Sequence, residues 1–127
     1  MENLRCKKPK IVAIDDEQEF TMMLESYFVP RGYEIHFANR GVVGIKLIRE
    51  MRPDIVLMDL KMPELDGDEA LELVKELQAP PKVIFVTAYD DGGKTKARLM
   101  QMGAYAYFDK PIQSLKELEE ALVRAVS

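Results

Sequence analysis

Three apolar runs in this chain each end in a charge. Ile55-Val56-Leu57-Met58 is followed by Asp59, Ile11-Val12-Ala13-Ile14 by the pair Asp15-Asp16, and Ala106-Tyr107-Phe108-Asp109 by Lys110. If the runs are buried strands, these charges gather at one edge of a sheet. Crowded carboxylates repel and call for a cation, and a lysine beside them calls for an anion. The set describes a site for a metal ion and a phosphoryl group, with one carboxylate left as nucleophile. A fourth run, Val83 to Val86, ends in the hydroxyl of Thr87.

The elements that must position these residues alternate between two hydrophobic rhythms. Apolar runs near Ile11, Ile35, Ile55, Val83 and Ala106 are separated by helical patterns. Phe20, Met23, Leu24, Tyr27 and Phe28 recur at the spacing of one buried helix face, as do Gly44, Leu47, Ile48 and Met51, then Ala70, Leu73, Val74 and Leu77. The last helix shows Leu115, Leu118, Leu122, Val123 and Val126, while the fourth, from Lys94 to Met102, opens at Gly92-Gly93 and has no clean stripe. Pro30-Arg31-Gly32, Pro53-Asp54 and Pro80-Pro81 punctuate the boundaries. Ser114 with Glu117 and Asp66 with Glu69 have capping-box spacing, and Asp16 with Glu19 offers the same at the first helix.

Strand and helix in alternation predict parallel strands with right-handed crossovers. Runs 1, 3 and 4 are continuously apolar, as strands covered on both faces are. Strand 2, Tyr33 to Phe37, alternates and reads as an edge. The expected fold is α/β: a single doubly wound five-stranded parallel sheet of order 2-1-3-4-5, flavodoxin-like, with five helices. In that order strands 1 and 3 are neighbours where the winding reverses, and ligands bind beyond the strand ends at such a point. Asp15, Asp16 and Asp59 fall there.

With 127 residues the chain supports one core, and 47% hydrophobic against 31% charged residues excludes disorder. A net charge of −4 favours neither nucleic acid nor an anionic membrane. Arg5, Lys7, Lys8 and Lys10 read as part of a solvated opening, so residues 1–9 are expected to be a polar leader and 10–127 the domain. Cys6 stands alone, which excludes a disulfide framework and a thiolate metal site. No apolar stretch approaches a membrane span and the first ten residues lack a secretion-signal core, so a cytoplasmic location is expected.

Each residue also has a plain structural explanation. Asp59 alone reads as a turn residue before Met62-Pro63, Thr87 as a β-branched strand end, Lys110 as a snorkelling surface lysine, and Tyr107 as packing. His36, on the edge strand, reads as structural or exposed. Four polar positions ending four different strands are poorly served by four separate accidents.

Together the residues resemble the receiver domain of two-component response regulators, from about Lys10 to Val126. The matching stretches are Ile14-Asp15-Asp16, Met58-Asp59-Leu60-Lys61-Met62-Pro63 with Asp66-Gly67, Val86-Thr87-Ala88, and Tyr107 with Lys110-Pro111. The resemblance implies that Asp59 accepts a phosphoryl group from a phosphohistidine on a sensor histidine kinase or phosphotransfer protein. It implies Mg²⁺ held by Asp15, Asp16, Asp59 and the backbone carbonyl of Lys61, Asp15 through a bound water. It implies phosphoryl contacts from Lys110 and Thr87, and a cis peptide before Pro111 that aims Lys110 into the site. It implies a switch in which Tyr107 turns inward beside Ala88 and the face of the fourth helix, strand 5 and fifth helix changes. That face would control a downstream protein or output domain, with a phosphorylation-dependent homodimer possible. The domain would be a signalling phosphoacceptor rather than an enzyme, with no nucleic-acid or membrane partner of its own.

Three positions depart from the commonest family pattern. Lys61 places a free cation near the phosphoryl group, Tyr89 is bulky enough to shield an acyl phosphate, and Ile112 stands where Phe is frequent. The first two lead us to expect slow self-dephosphorylation. A phosphohydrolase with an Asp nucleophile would need a second acid where Lys61 stands, and a cap domain. A flavin-binding fold of this topology would want a Ser/Thr/Gly-rich loop where Asp15-Asp16-Glu17 stands. A degenerate receiver, acting as an interaction module without phosphate, is the remaining alternative. The protein is expected either to act alone or to be the receiver part of a longer regulator.

Overall fold

The sheet forms where hydrophobic runs can be covered on both sides. In a computed structural model, which describes residues 8–127, the strands are β1 (Ile11–Ile14), β2 (Ile35–Ala38), β3 (Ile55–Met58), β4 (Lys82–Thr87) and β5 (Ala106–Asp109). The helices are α1 (Gln18–Phe28), α2 (Gly41–Met51), α3 (Gly67–Lys75), α4 (Lys94–Met102) and α5 (Leu115–Ala125). All strand pairs are parallel, in the order β2-β1-β3-β4-β5. This is the expected doubly wound sheet. Cys6 and the basic residues Arg5 and Lys7 lie outside the described residues.

Alternate side chains of each strand enter two separate cores. Val12, Ile14, Val56, Met58 and Phe85 pack with Ile45, Ile48, Leu71, Val74 and Leu99 of α2, α3 and α4. Ile11, Ala13, Leu57, Ile84 and Val86 pack on the other face with Leu24 and Phe28 of α1 and Leu118 and Leu122 of α5. Period-2 alternation with both faces covered gives the unbroken apolar runs. Close approach explains Gly44, whose place a Cβ would take only by running into Ile14.

The ends of the helices carry most of the detail. Ser114 Oγ accepts the Glu117 N–H at 3.1 Å, and Asp66 with Glu69 forms the expected capping box. The expected Asp16 cap does not form. The N-cap of α1 is Glu17, in extended backbone and without a side-chain cap bond. Asp15 Oδ1 instead accepts the Glu17 N–H at 2.8 Å, so the inward-facing acid ties down the turn and Asp16 is left exposed. Strand 2 starts two residues later than its alternation suggested. Tyr33 is buried and its hydroxyl leaves the sheet for Glu119 of α5 at 2.7 Å. On the edge strand, His36 Nε2 lies 2.8 Å from Glu34 Oε2. The weak fourth stripe does fold into a helix, but only Thr95 and Leu99 of α4 are buried.

Candidate functional site

Parallel strands point their carboxyl ends the same way, so the residues that follow them meet. Asp15 comes off β1 with its N–H bonded to Ala38 O at 2.9 Å, and Asp59 comes off β3 with its N–H bonded to Ile14 O at 3.1 Å. Lys110 comes off β5 with its N–H bonded to Thr87 O at 2.9 Å, and its peptide to Pro111 is cis, as the resemblance implies. The loop after Asp59 is held close: Gly67 N–H donates to Leu60 O at 2.8 Å. A Cβ on Gly67 would stand 2.7 Å from the Phe85 ring and 3.2 Å from Asp59 O. Only glycine fits beneath that loop without moving it.

Asp15, Asp16 and Asp59 each offer a carboxylate oxygen, and these oxygens lie within 4.8 Å of one another. Lys110 Nζ donates to Asp15 Oδ2 at 2.8 Å and to Glu17 Oε1 at 2.9 Å, and stands 3.5 Å from Asp59 Oδ2. Its ammonium also sits 4.5 Å from the centre of the Phe20 ring. One cation thus faces three carboxylates, with Asp16 beside them as a fourth. Burial pushes the Asp15 carboxyl above its ordinary value, against the opposing bonds from Lys110 and the Glu17 N–H. Burial alone would lower the Lys110 ammonium, but its bonds to Asp15 and Glu17 outweigh it and hold the amine well above its ordinary value. The ammonium is therefore charged throughout the physiological range.

The donor set near Asp59 is all oxygen, carboxylate-rich and under-neutralised, with Asp16 open to solvent. That chemistry fits a hard divalent ion such as Mg²⁺, which prefers oxygen ligands and keeps several waters.

The other residues singled out in the sequence are arranged around this cluster, and among the described residues none of their side chains bonds to its carboxylates or to the Lys110 ammonium. Thr87 is buried, and its Oγ1 accepts the Tyr89 N–H at 3.2 Å rather than bonding a carboxylate. Tyr107 is half-buried, packs at 6.4 Å between ring centres on Phe85, and donates its hydroxyl to Tyr89 O at 3.2 Å. Residue 89 therefore bonds Thr87 through its N–H and Tyr107 through its carbonyl. Lys61 is exposed, with Nζ 4.6 Å from the centre of the Tyr89 ring. Two of the three positions that depart from the family pattern, Lys61 and Tyr89, are thus paired with each other. Sequence reasoning missed the parts of Glu17 and Phe20 in holding Lys110. Its one available signal for Glu17 was the third acid in the Asp15-Asp16-Glu17 run.

Comparison with known proteins identifies the family of the chain. The response regulator receiver domain family matches residues 11–123. The chain is 37% identical over 117 residues to the regulatory protein AtoC of Escherichia coli, covering 92% of this chain but 25% of that protein. It is 31% identical to the sporulation initiation phosphotransferase F of Bacillus subtilis, covering 89% of this chain and 90% of that one. Among solved structures, a response regulator receiver domain from Clostridium thermocellum superposes with a TM-score of 0.81 at 30% identity, over 92% of this chain and 93% of the other. With the fold, the strand-end acids and this match over nearly the whole described length, the chain belongs to the response regulator receiver domains of two-component signalling.

Proposed function

We propose that Asp59 is the phosphoacceptor of this receiver domain, charged from a phosphohistidine on a sensor histidine kinase or phosphotransfer protein. An Asp59 carboxylate oxygen forms the new O–P bond while the P–N bond to the histidine breaks. The bonding electron pair, and then a proton, pass to the departing imidazole. Phosphoryl transfer asks for positioning and charge neutralisation more than for covalent chemistry. Asp15, Asp16, Asp59 and the Lys61 carbonyl would hold Mg²⁺, which when bound neutralises charge on the phosphoryl oxygens. Lys110 takes one phosphoryl oxygen and the Thr87 hydroxyl another. The observation that carries this reading is Lys110 Nζ at 3.5 Å from Asp59 Oδ2, beside acids whose oxygens lie within 4.8 Å.

The output follows from the same contacts. A phosphoryl group adds about −1.5 to −2 charge and new acceptor oxygens. Drawing Thr87 toward them disturbs its bond to the Tyr89 N–H, and with it the Tyr89 carbonyl that holds the Tyr107 hydroxyl. Tyr107 then turns inward, and the α4–β5–α5 face changes for a downstream protein, an output domain or a second copy. Only two buried side chains anchor α4, the fewest of the five helices, so it is the helix least costly to move. In this proposal residues 10–127 are the receiver unit and 1–9 a polar leader, of which Pro9 is buried and Lys8 Nζ lies 4.7 Å from the Tyr33 ring centre. Among the described residues no helix is long and apolar enough to cross a membrane, and the cytoplasm is the compartment we propose.

Incubation with Mg²⁺ and a small acyl phosphate tests the reading by intact mass. A phosphate adduct is expected, and it should vanish with chelator and in Asp59→Asn. No adduct on the unmodified protein would make the domain a phosphate-independent interaction module.

A further inference from the structure

We propose that Glu17 is a positioning residue that competes with the phosphoryl group for Lys110 and so sets how tightly the site holds phosphate; this rests on Asp59 being the phosphoacceptor. Glu17 grips both halves of one ion pair. Its N–H donates to Asp15 Oδ1 at 2.8 Å, while its Oε1 accepts from Lys110 Nζ at 2.9 Å. Lys110 closes the ring onto the other Asp15 oxygen, Oδ2, at 2.8 Å. Asp59 lies further away, at 3.5 Å. The ammonium therefore leans toward the α1 side of the site, over Phe20, and makes its longest carboxylate contact with the nucleophile.

The two carboxylates that hold it differ in kind. Asp15 is 3% exposed and fixed by its bond to the Glu17 N–H, whereas the Glu17 side chain is 54% exposed. An ion pair with an exposed partner is weak and easily exchanged. Asp15 thus acts as the permanent anchor and Glu17 as the releasable one. A phosphoryl group on Asp59 carries more charge than the Glu17 carboxylate and presents it closer to Asp59, so it takes the ammonium and frees Glu17. What it gains is reduced by what Glu17 gives up. The carboxylate also stands near the incoming anion and repels it.

Beryllofluoride with Mg²⁺, a stable stand-in for the phosphoryl group, reads this directly. Its binding to the full chain is followed by fluorine NMR, with the Lys110 ammonium resonance observed in the same samples. Glu17→Gln is expected to bind beryllofluoride about three- to fivefold more tightly than the unmodified protein, the scale of one exposed ion pair. Its Lys110 resonance should shift before any ligand is added. Glu17→Asp, which keeps the charge on a shorter arm, should restore part of the weaker binding, a recovery that a merely structural role would not produce. Equal or weaker binding by a folded Glu17→Gln overturns the proposal while leaving the phosphoacceptor reading intact. An unmodified protein that binds no beryllofluoride sinks that reading, and the Glu17 proposal with it.

Discussion

Two polar clusters in this molecule are near mirror images in charge. At the carboxyl edge of the sheet, one ammonium, Lys110, faces Asp15, Glu17 and Asp59, with Asp16 beside them. On the flank, one carboxylate, Glu119 of α5, accepts from Tyr27 Oη at 2.8 Å, Tyr33 Oη at 2.7 Å and Arg31 Nε at 3.1 Å. Arg31 Nη2 adds a contact at 2.8 Å, and its guanidinium lies 4.8 Å from the Tyr27 ring centre. The Glu119 cluster is satisfied: its charges balance and each oxygen has donors. The Lys110 cluster is not: its acids outnumber its cation and burial holds Asp15 partly against ionisation. One fastens α5 to the end of α1. The other stores carboxylate repulsion that a bound cation can relieve. Saturation marks a structural tie, and a deficit of positive charge marks a binding site.

If that contrast is right, breaking the satisfied cluster costs most. Glu119→Ala leaves the buried Tyr33 hydroxyl without its acceptor and should lower stability by about 2–3 kcal/mol in urea unfolding. A loss below a few tenths would show the cluster to be ornamental. Next comes the packing beneath the site. Gly67→Ala must displace the Phe85 ring or the loop carrying Asp59, with an expected loss of about 1–3 kcal/mol. It should also slow phosphorylation by acyl phosphate, and normal kinetics would mean that the loop tolerates the shift.

The opposite sign is expected at the deficient cluster. Asp15→Asn removes a buried charge that its surroundings disfavour, and should raise stability at neutral pH, at the expense of Mg²⁺ affinity. Destabilisation would mean that the pair with Lys110 outweighs the repulsion. Acid sharpens the same comparison. Burial alone would raise the Glu119 carboxyl, but its bonds to Tyr33, Arg31 and Tyr27 prevail and hold it below the ordinary 4.5. Its contribution is therefore complete above that value and is lost as pH falls through the lower folded-state value. Asp15 lies above the ordinary 3.8, so the folded state prefers it protonated, and its burden is relieved as pH falls through the raised value. Urea midpoints from pH 7 to pH 3 should fall less steeply for Glu119→Gln than for the unmodified protein, and more steeply for Asp15→Asn. Parallel curves for all three would contradict both assignments.

The smallest effect is expected at the rim. Lys61 lies over the Tyr89 ring; if this pair shields an acyl phosphate, Tyr89→Ala should shorten the lifetime of the aspartyl phosphate by about two- to fivefold. An unchanged lifetime would end the shielding idea.

The fold was legible because its signals are local. Ile11–Ile14 and Ile55–Met58 are continuously apolar since helices cover both faces, and that pattern with alternating helices leaves few topologies. The helical stripes were less complete. Leu73, Val123 and Val126 fit the periodicity yet lie at the surface, while Leu71, Ala121 and Ala125 turn inward. Each stripe found the correct side of its helix and misjudged the centre of its arc. At the site, charges ending adjacent strands were readable because topology alone gathers them. Which way Lys110 leans was not, because its partner Glu17 lies 93 residues away and an exposed glutamate carries no pattern. Glu119 was invisible for the same reason: its donors are 86 to 92 residues distant, and on paper it is one more acid on an amphipathic helix.

The central claim is that Asp59, and no neighbouring acid, receives the phosphoryl group. Three carboxylates within 4.8 Å are candidates on proximity alone, so the decisive measurement must name the residue. Borohydride reduces an acyl phosphate to an alcohol, converting a phosphorylated aspartate to homoserine, which peptide mass spectrometry can locate. After treatment with acyl phosphate and Mg²⁺, homoserine is predicted at position 59 and nowhere else. Homoserine at position 15 or 16, or its absence from a protein shown to be folded, would contradict the account.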